Sequence, residues 1–149
     1  MSVGGAEGQG LGAVLERSSN SVDLRAGSTF FLEGEDVHLW MIISDPDLDP
    51  DRVVLVNFAS WQHHHDQTCV VEVGEHRFLR SRGVVYYPGP KMMTMRQLRL
   101  RQSQKLLTMR GELSESLLQR IRAGALASPR MPMEPGEIIL EQFPELAES

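Results

Sequence analysis

Histidine is the side chain best suited to moving protons near neutral pH, because its ordinary pKa lies at about 6.5. Three stand in a row here, His63, His64 and His65, between a predicted strand end at Ser60 and the carboxylate of Asp66. Asp66 could orient one of the imidazoles. The run can be read as a solvated polar loop, as a substrate contact with acid–base work, or as metal ligation. Metal is the weakest of the three, because consecutive side chains seldom converge on one ion and no His or Cys pair has zinc-finger spacing. His38 opens a predicted strand, where an imidazole is either a hydrogen-bonded strand-end group or a reacting one. Cys69, the only cysteine, lies in an apolar strand beside Val70 and reads as a small buried hydrophobe.

Charge is the other chemical signal. The chain has 149 residues and a net charge of −5, which hides a strong segregation. Residues 1–51 carry 2 basic and 10 acidic residues, residues 52–133 carry 13 basic and 5 acidic, and residues 134–149 carry 5 acids and no base. From Arg77 to Arg110 there are nine cations and no acid: Arg77, Arg80, Arg82, Lys91, Arg96, Arg99, Arg101, Lys105 and Arg110. Such a block serves as a solvated face, pairs with the chain's own acidic ends, meets nucleic-acid phosphates, or meets an acidic protein. Trp61, Tyr86 and Tyr87 could stack on bases, although a small core also needs aromatic side chains.

The elements that must position these groups are short. Val37 to Ser60 organises the chain: an apolar strand, the acidic turn Asp45-Pro46-Asp47-Leu48-Asp49-Pro50-Asp51, and a second apolar strand. Both strands are apolar on both faces, which predicts a central pair covered from two sides. Further strands are predicted at Ser28–Leu32, Thr68–Val73 and Val84–Tyr87, the last stopped by Pro88-Gly89-Pro90. Lys91–Met95 and Lys105–Met109 could add β structure. Gln97–Gln104 fits strand or helix, because Arg-Leu-Arg-Leu alternates while its composition tolerates a helix. A helix is predicted at 114–127, with Ser114 as N-cap and Leu117, Leu118, Ile121 and Ala125 on one face. Short strands followed by one helix predict a mainly β fold, a small SH3-like barrel with a C-terminal helix. The expected organisation is a flexible Gly/Ser-rich tail over 1–27, the barrel over 28–130, and an acidic tail over 131–149, with a short helix around Ile138–Gln142. A domain of this size buries about 70% of its unfolded surface, enough for a core without staples. The N-terminal residues lack a basic segment followed by an apolar one, and no apolar run reaches the roughly 18 residues of a membrane span. The expectation is a cytoplasmic chain.

In that order of elements the chain resembles the MazF/PemK-type toxins of bacterial toxin–antitoxin systems. His38-Leu39-Trp40-Met41-Ile42-Ile43-Ser44 is similar to the family's apolar strand ending in Ser. Val53 to Ser60 is similar to the next strand, Gly83-Val84-Val85-Tyr86-Tyr87 to a later one, and Gly111-Glu112-Leu113-Ser114 to the Gly-x-Leu-Ser entry of the family helix. The likeness spans about residues 35–127. Family members are SH3-like barrels, usually dimeric, and many cut single-stranded RNA. The resemblance therefore implies single-stranded RNA as partner, a homodimer, a protein antitoxin, and no cofactor or metal.

The resemblance points to His38 and Ser60 as catalytic residues, the histidine run adds His64, and the basic block supplies Arg77, Arg80, Arg82, Lys91, Arg96, Arg99 and Arg101 as candidate nucleic-acid contacts. His38 stands where the family has a catalytic Arg, and Pro88-Gly89-Pro90-Lys91 stands where many members have an Asp and an Arg. Metal-independent RNA cleavage needs a base for the 2′-OH, a cation for the phosphate and an acid for the leaving oxygen, and imidazole suits the first and last roles. The alternatives are a non-catalytic adaptor or nucleic-acid-binding module on the same barrel, and a structural protein whose basic face holds its own acidic tail.

Overall fold

The computed structural model describes residues 23–34 and 38–148. Most of the expected N-terminal tail, and the expected strand start at Val37, lie outside them. Six strands form one antiparallel sheet: β1 (Ser28–Leu32), β2 (Trp40–Ile42), β3 (Val53–Ser60), β4 (Val70–Val71), β5 (Gly83–Met93) and β6 (Leu107–Glu112). Their spatial order is β4-β5-β3-β2-β1-β6, with β3 and β2 at the centre. The sheet curls into a half-barrel; among the described residues its outer strands, β4 and β6, do not pair with each other. Three helices accompany it, α1 (Met95–Ser103), α2 (Glu115–Ala127) and α3 (Met133–Gln142), followed by a turn of 3-10 helix, Pro144–Glu148.

The sheet is covered on both faces, which explains why β3 is a continuous apolar run. Alternate side chains along a strand point to opposite faces. Val54, Val56 and Phe58 pack with Leu39, Met41 and Ile43 against Leu117, Leu118 and Ile121 of α2 and Ile138 and Ile139 of α3. Val53 and Leu55 pack with Phe30, Trp40 and Ile42 against Met95 and Leu98 of α1. Each fully buried aliphatic side chain contributes about 1.5–3 kcal/mol, so neither face dispenses with its helix.

The helix starts follow side-chain chemistry. The N-cap of α1 is Thr94, whose hydroxyl accepts from the Gln97 N–H while the Gln97 side chain accepts from the Thr94 N–H, a reciprocal capping box. This settles the ambiguous stretch as helix, Met95–Ser103, with Gln104 as its C-cap. The α2 cap is Ser114, accepting from Leu117 N–H at 3.2 Å, as the sequence predicts. Arg122, which the helical wheel of the sequence puts off the buried face, is buried as well. Its Nε donates to the Ile43 carbonyl at 2.7 Å and its guanidinium lies 3.9 Å from the ring centre of Phe143. The segment after α2 covers that side of the helix.

Both ends of the described chain depart from the expected tails. Residues 131–149 are acidic, and the short helix expected around Ile138–Gln142 is there as the longer α3, Met133–Gln142, which buries Ile138 and Ile139 in the core, so the stretch is packed rather than a free tail. Gln142 Oε1 accepts from Asp45 N–H at 2.8 Å, and Glu141 pairs with Arg52, so the C-terminal helix also steadies the acidic turn. At the other end Leu24 is buried, and Gly27 N–H donates to Ile42 at 2.8 Å. Residues 24–27 therefore pack against the sheet, ahead of β1, and are not part of a tail.

Pro88-Gly89-Pro90 does not stop its strand. Asn57 faces Tyr86 and Leu55 faces Lys91, so two residues along β3 answer five along β5. The extra residues form a bulge, which suits prolines because they have no N–H to give the ladder. Other predicted strands are shorter than expected: β2 is three residues and β4 is two. No described helix is long and apolar enough to cross a membrane.

Candidate functional site

Register brings together what the sequence keeps apart. Phe30 faces Trp40, Trp40 faces Asn57, and Asn57 faces Tyr86, so one row crosses β1, β2, β3 and β5. Directly opposed residues share a face. Phe30 and Trp40 in this row are closed over by α1, while the Tyr86 end is 37% exposed. At the open end lies a cleft of about 460 Å³ lined by His38, Trp40, Asn57, Ala59, Ser60, Gln62, His65, Tyr86 and Gly89. Asn57, a polar side chain inside an apolar strand, is 3% exposed and donates from Nδ2 to its neighbour's carbonyl on Phe58 at 3.0 Å.

Two further hollows adjoin it. His38, Ala59 and Ser60 also line one of about 380 Å³, walled by Phe31, Phe78, Arg80 and Arg82. His65 and Tyr86 also line one of about 160 Å³, with His64, Asp66, Pro88 and Arg130. Each hollow shares lining residues with the cleft, and cations stand in both, Arg80 and Arg82 in the larger and Arg130 in the smaller. His38 and Ser60 both line the central cleft and the larger hollow. The member of the histidine run that reaches the central cleft is His65; His64 is exposed in the smaller hollow, 4.7 Å from the His65 ring.

Asp66 does not orient an imidazole. It accepts from the Thr68 N–H at 2.9 Å and from the Thr68 and Ser128 hydroxyls, which fasten the histidine loop to the end of α2. Burial works against its charge, but these hydrogen bonds and nearby Arg130 outweigh it and hold the carboxyl below the usual range. Burial pushes the Cys69 thiol up, as expected of a buried hydrophobe. His76 is buried as a structural group. Its Nε2 is 3.1 Å from Thr29 Oγ1 and 3.2 Å from the Arg110 carbonyl, and burial lowers its pKa.

The basic block divides. Arg82 lies 5.5 Å from the Trp61 ring centre and pairs with Glu72 at 3.1 Å. Arg77 lies 4.8 Å over Phe78, Arg110 lies 5.4 Å over Phe31, and Lys91 lies 5.2 Å over Trp40. Arg96, Arg99 and Arg101 ride on α1 and line none of the three hollows. Among the described residues Arg77, Arg80, Arg96, Arg99, Arg101, Lys105 and Arg110 have no carboxylate within 4.0 Å. Among the described residues the one C-terminal acid with an ion pair, Glu141, meets Arg52, outside the block.

No protein-family model matches this chain, and no curated protein matches it. The site therefore stands on its own geometry. The sequence points to His38, Ser60, Tyr86 and the histidine run that holds His65, but misses Trp40, Asn57 and Arg130 as their neighbours. Of these three, Asn57 carried a local signal, as the one polar residue in the run from Val53 to Phe58.

Proposed function

We propose that the protein binds single-stranded RNA along the central cleft and the two hollows that share its lining residues, on a half-barrel related to the SH3-like fold of the MazF/PemK toxins. The observation that carries this reading is the pairing of cations with aromatic rings beside an open cleft. Arg and aromatic groups together hold phosphate and base at once, and stacking tolerates any sequence. Arg77, Arg80, Arg96, Arg99, Arg101, Lys105 and Arg110, with no carboxylate beside them among the described residues, favour a polyanion over an internal acidic partner.

A second reading, cleavage, is favoured by His38, Ser60 and His65 sharing the central cleft. On this reading His38 takes the 2′-OH proton, the 2′-oxygen bonds to phosphorus, the bond to the 5′-oxygen breaks, and His65 returns a proton to that oxygen. Ser60 and the neighbouring cations hold the phosphate. Incubating the pure protein with unstructured and with base-paired RNA, in the presence of EDTA, tests both readings. Binding and cutting of the unstructured RNA is expected. Binding without cutting leaves the adaptor reading, and no binding to either RNA overturns the proposal.

A further inference from the structure

We infer that the central cleft is a nucleobase pocket that grips one unstacked base by its edge as well as its face. This rests on the RNA-binding reading and adds what the RNA presents there. Buried polar atoms in folded proteins nearly always have partners, so the exceptions ask for an explanation. Among the described residues two buried side-chain atoms have no protein partner, Trp40 Nε1 and His65 Nδ1. Both belong to residues lining the same cleft. Trp40 is only 5% exposed, and its indole N–H can donate but never accept. His65 Nδ1 accepts or donates according to tautomer.

The complementary ligand presents an acceptor beside a group able to meet an imidazole nitrogen, on a flat ring that can stack. Every nucleobase carries an acceptor next to a donor on its pairing edge, and a base freed from its stack is the form that proteins read in single-stranded RNA. Tyr86 offers a partly exposed ring, set edge-on to His65 at 6.1 Å, as the stacking face. The flanking hollows favour a base within a strand over a free small molecule. Arg80 and Arg82 line one of the hollows that share residues with the cleft and Arg130 lines the other, and the phosphates before and after that base would meet them there.

The test compares a short unstructured RNA with an oligomer of equal length that has the ribose phosphate backbone and no bases. The RNA is expected to bind at least about tenfold more tightly, with Trp40→Phe removing about tenfold from RNA binding and nothing from the abasic oligomer. The chain has two tryptophans, so the proton–nitrogen spectrum has two indole signals, and Trp61→Phe assigns them even where Trp40→Phe fails to fold. In the otherwise unaltered protein the Trp40 indole signal is expected to move with RNA and to stay still with the abasic oligomer. Equal affinities for the two oligomers with an unmoved Trp40 signal would overturn the base pocket while leaving RNA binding intact. No binding of either oligomer would overturn both.

Discussion

The two halves of the basic block carry similar charge density in the sequence and have different surroundings in the fold. On the cleft side, Arg82 lines a hollow itself, and Arg77, Lys91 and Arg110 line none but each stand over a ring that lines the cleft or a hollow, Phe78, Trp40 and Phe31. On α1, Arg96 and Arg99 are exposed along a helix whose buried residues are Met95 and Leu98. A cation on a bare helix attracts any anion weakly, and salt screens it. A cation over a ring, beside a cleft, adds shape and a stacking face. Density of charge in a sequence therefore locates a basic surface, and only the fold separates a site from a solvated helix.

The difference can be broken or sharpened by mutation. The largest effect is expected from His38→Ala, which should lower turnover by about 10²-fold or more while leaving RNA affinity near its original value. Single-turnover cleavage beside equilibrium binding checks this, and unchanged cleavage would remove His38 from the chemistry. Next, Tyr86→Ala should weaken RNA binding by about 1–3 kcal/mol, the usual worth of one stacked base. Leu100→Ala, at an exposed apolar position on α1, should leave binding unchanged. Equal losses at the two positions, by fluorescence titration, would erase the distinction between the halves.

Two stability measurements probe the supports of each half. His76 ties β1 to β6 beneath Phe78, and burial lowers its folded-state pKa. The unfolded chain then binds more protons, so this contribution is complete above about pH 6.5 and is lost as pH falls through the lower folded value. Urea midpoints should fall on acidification in the parent, and fall less in His76→Gln. On the α1 side the strain is in the backbone. Lys105 has φ 61 where the helix closes, with Leu106 N–H bonded to Arg101 and Lys105 N–H to Gln102, a geometry that normally takes glycine. Lys105→Gly should stabilise the fold by up to about 1 kcal/mol and leave RNA affinity unchanged.

The parts of the fold legible in the sequence were those set by local chemistry. β1 falls at Ser28–Leu32 as predicted, and α2 starts after the Ser114 cap. α1 was ambiguous because Arg-Leu-Arg-Leu alternates like a strand; the decisive signal was the Thr94–Gln97 capping pair just before it. The packing of α3 was hidden by its acids, since Ile138 and Ile139 form too small an apolar face to outweigh them in composition. The site was harder still. His38 and Ser60 were visible as polar ends of apolar strands, but the row from Trp40 through Asn57 to Tyr86 depends on register across three strands. The bulge at Pro88-Gly89-Pro90 shifts that register, and nothing local gives its size.

The salt dependence of RNA affinity tests the central claim most directly. Each neutralised phosphate on a single strand contributes a slope of about −0.7 in log affinity against log salt. Replacing Arg80, Arg82 and Lys91 together with Gln should reduce the parent slope by about 2 in magnitude. Replacing Arg96, Arg99 and Arg101 together with Gln should leave it nearly unchanged. The opposite pattern, with the α1 set flattening the slope and the cleft set leaving it intact, would contradict the placement of RNA in the cleft.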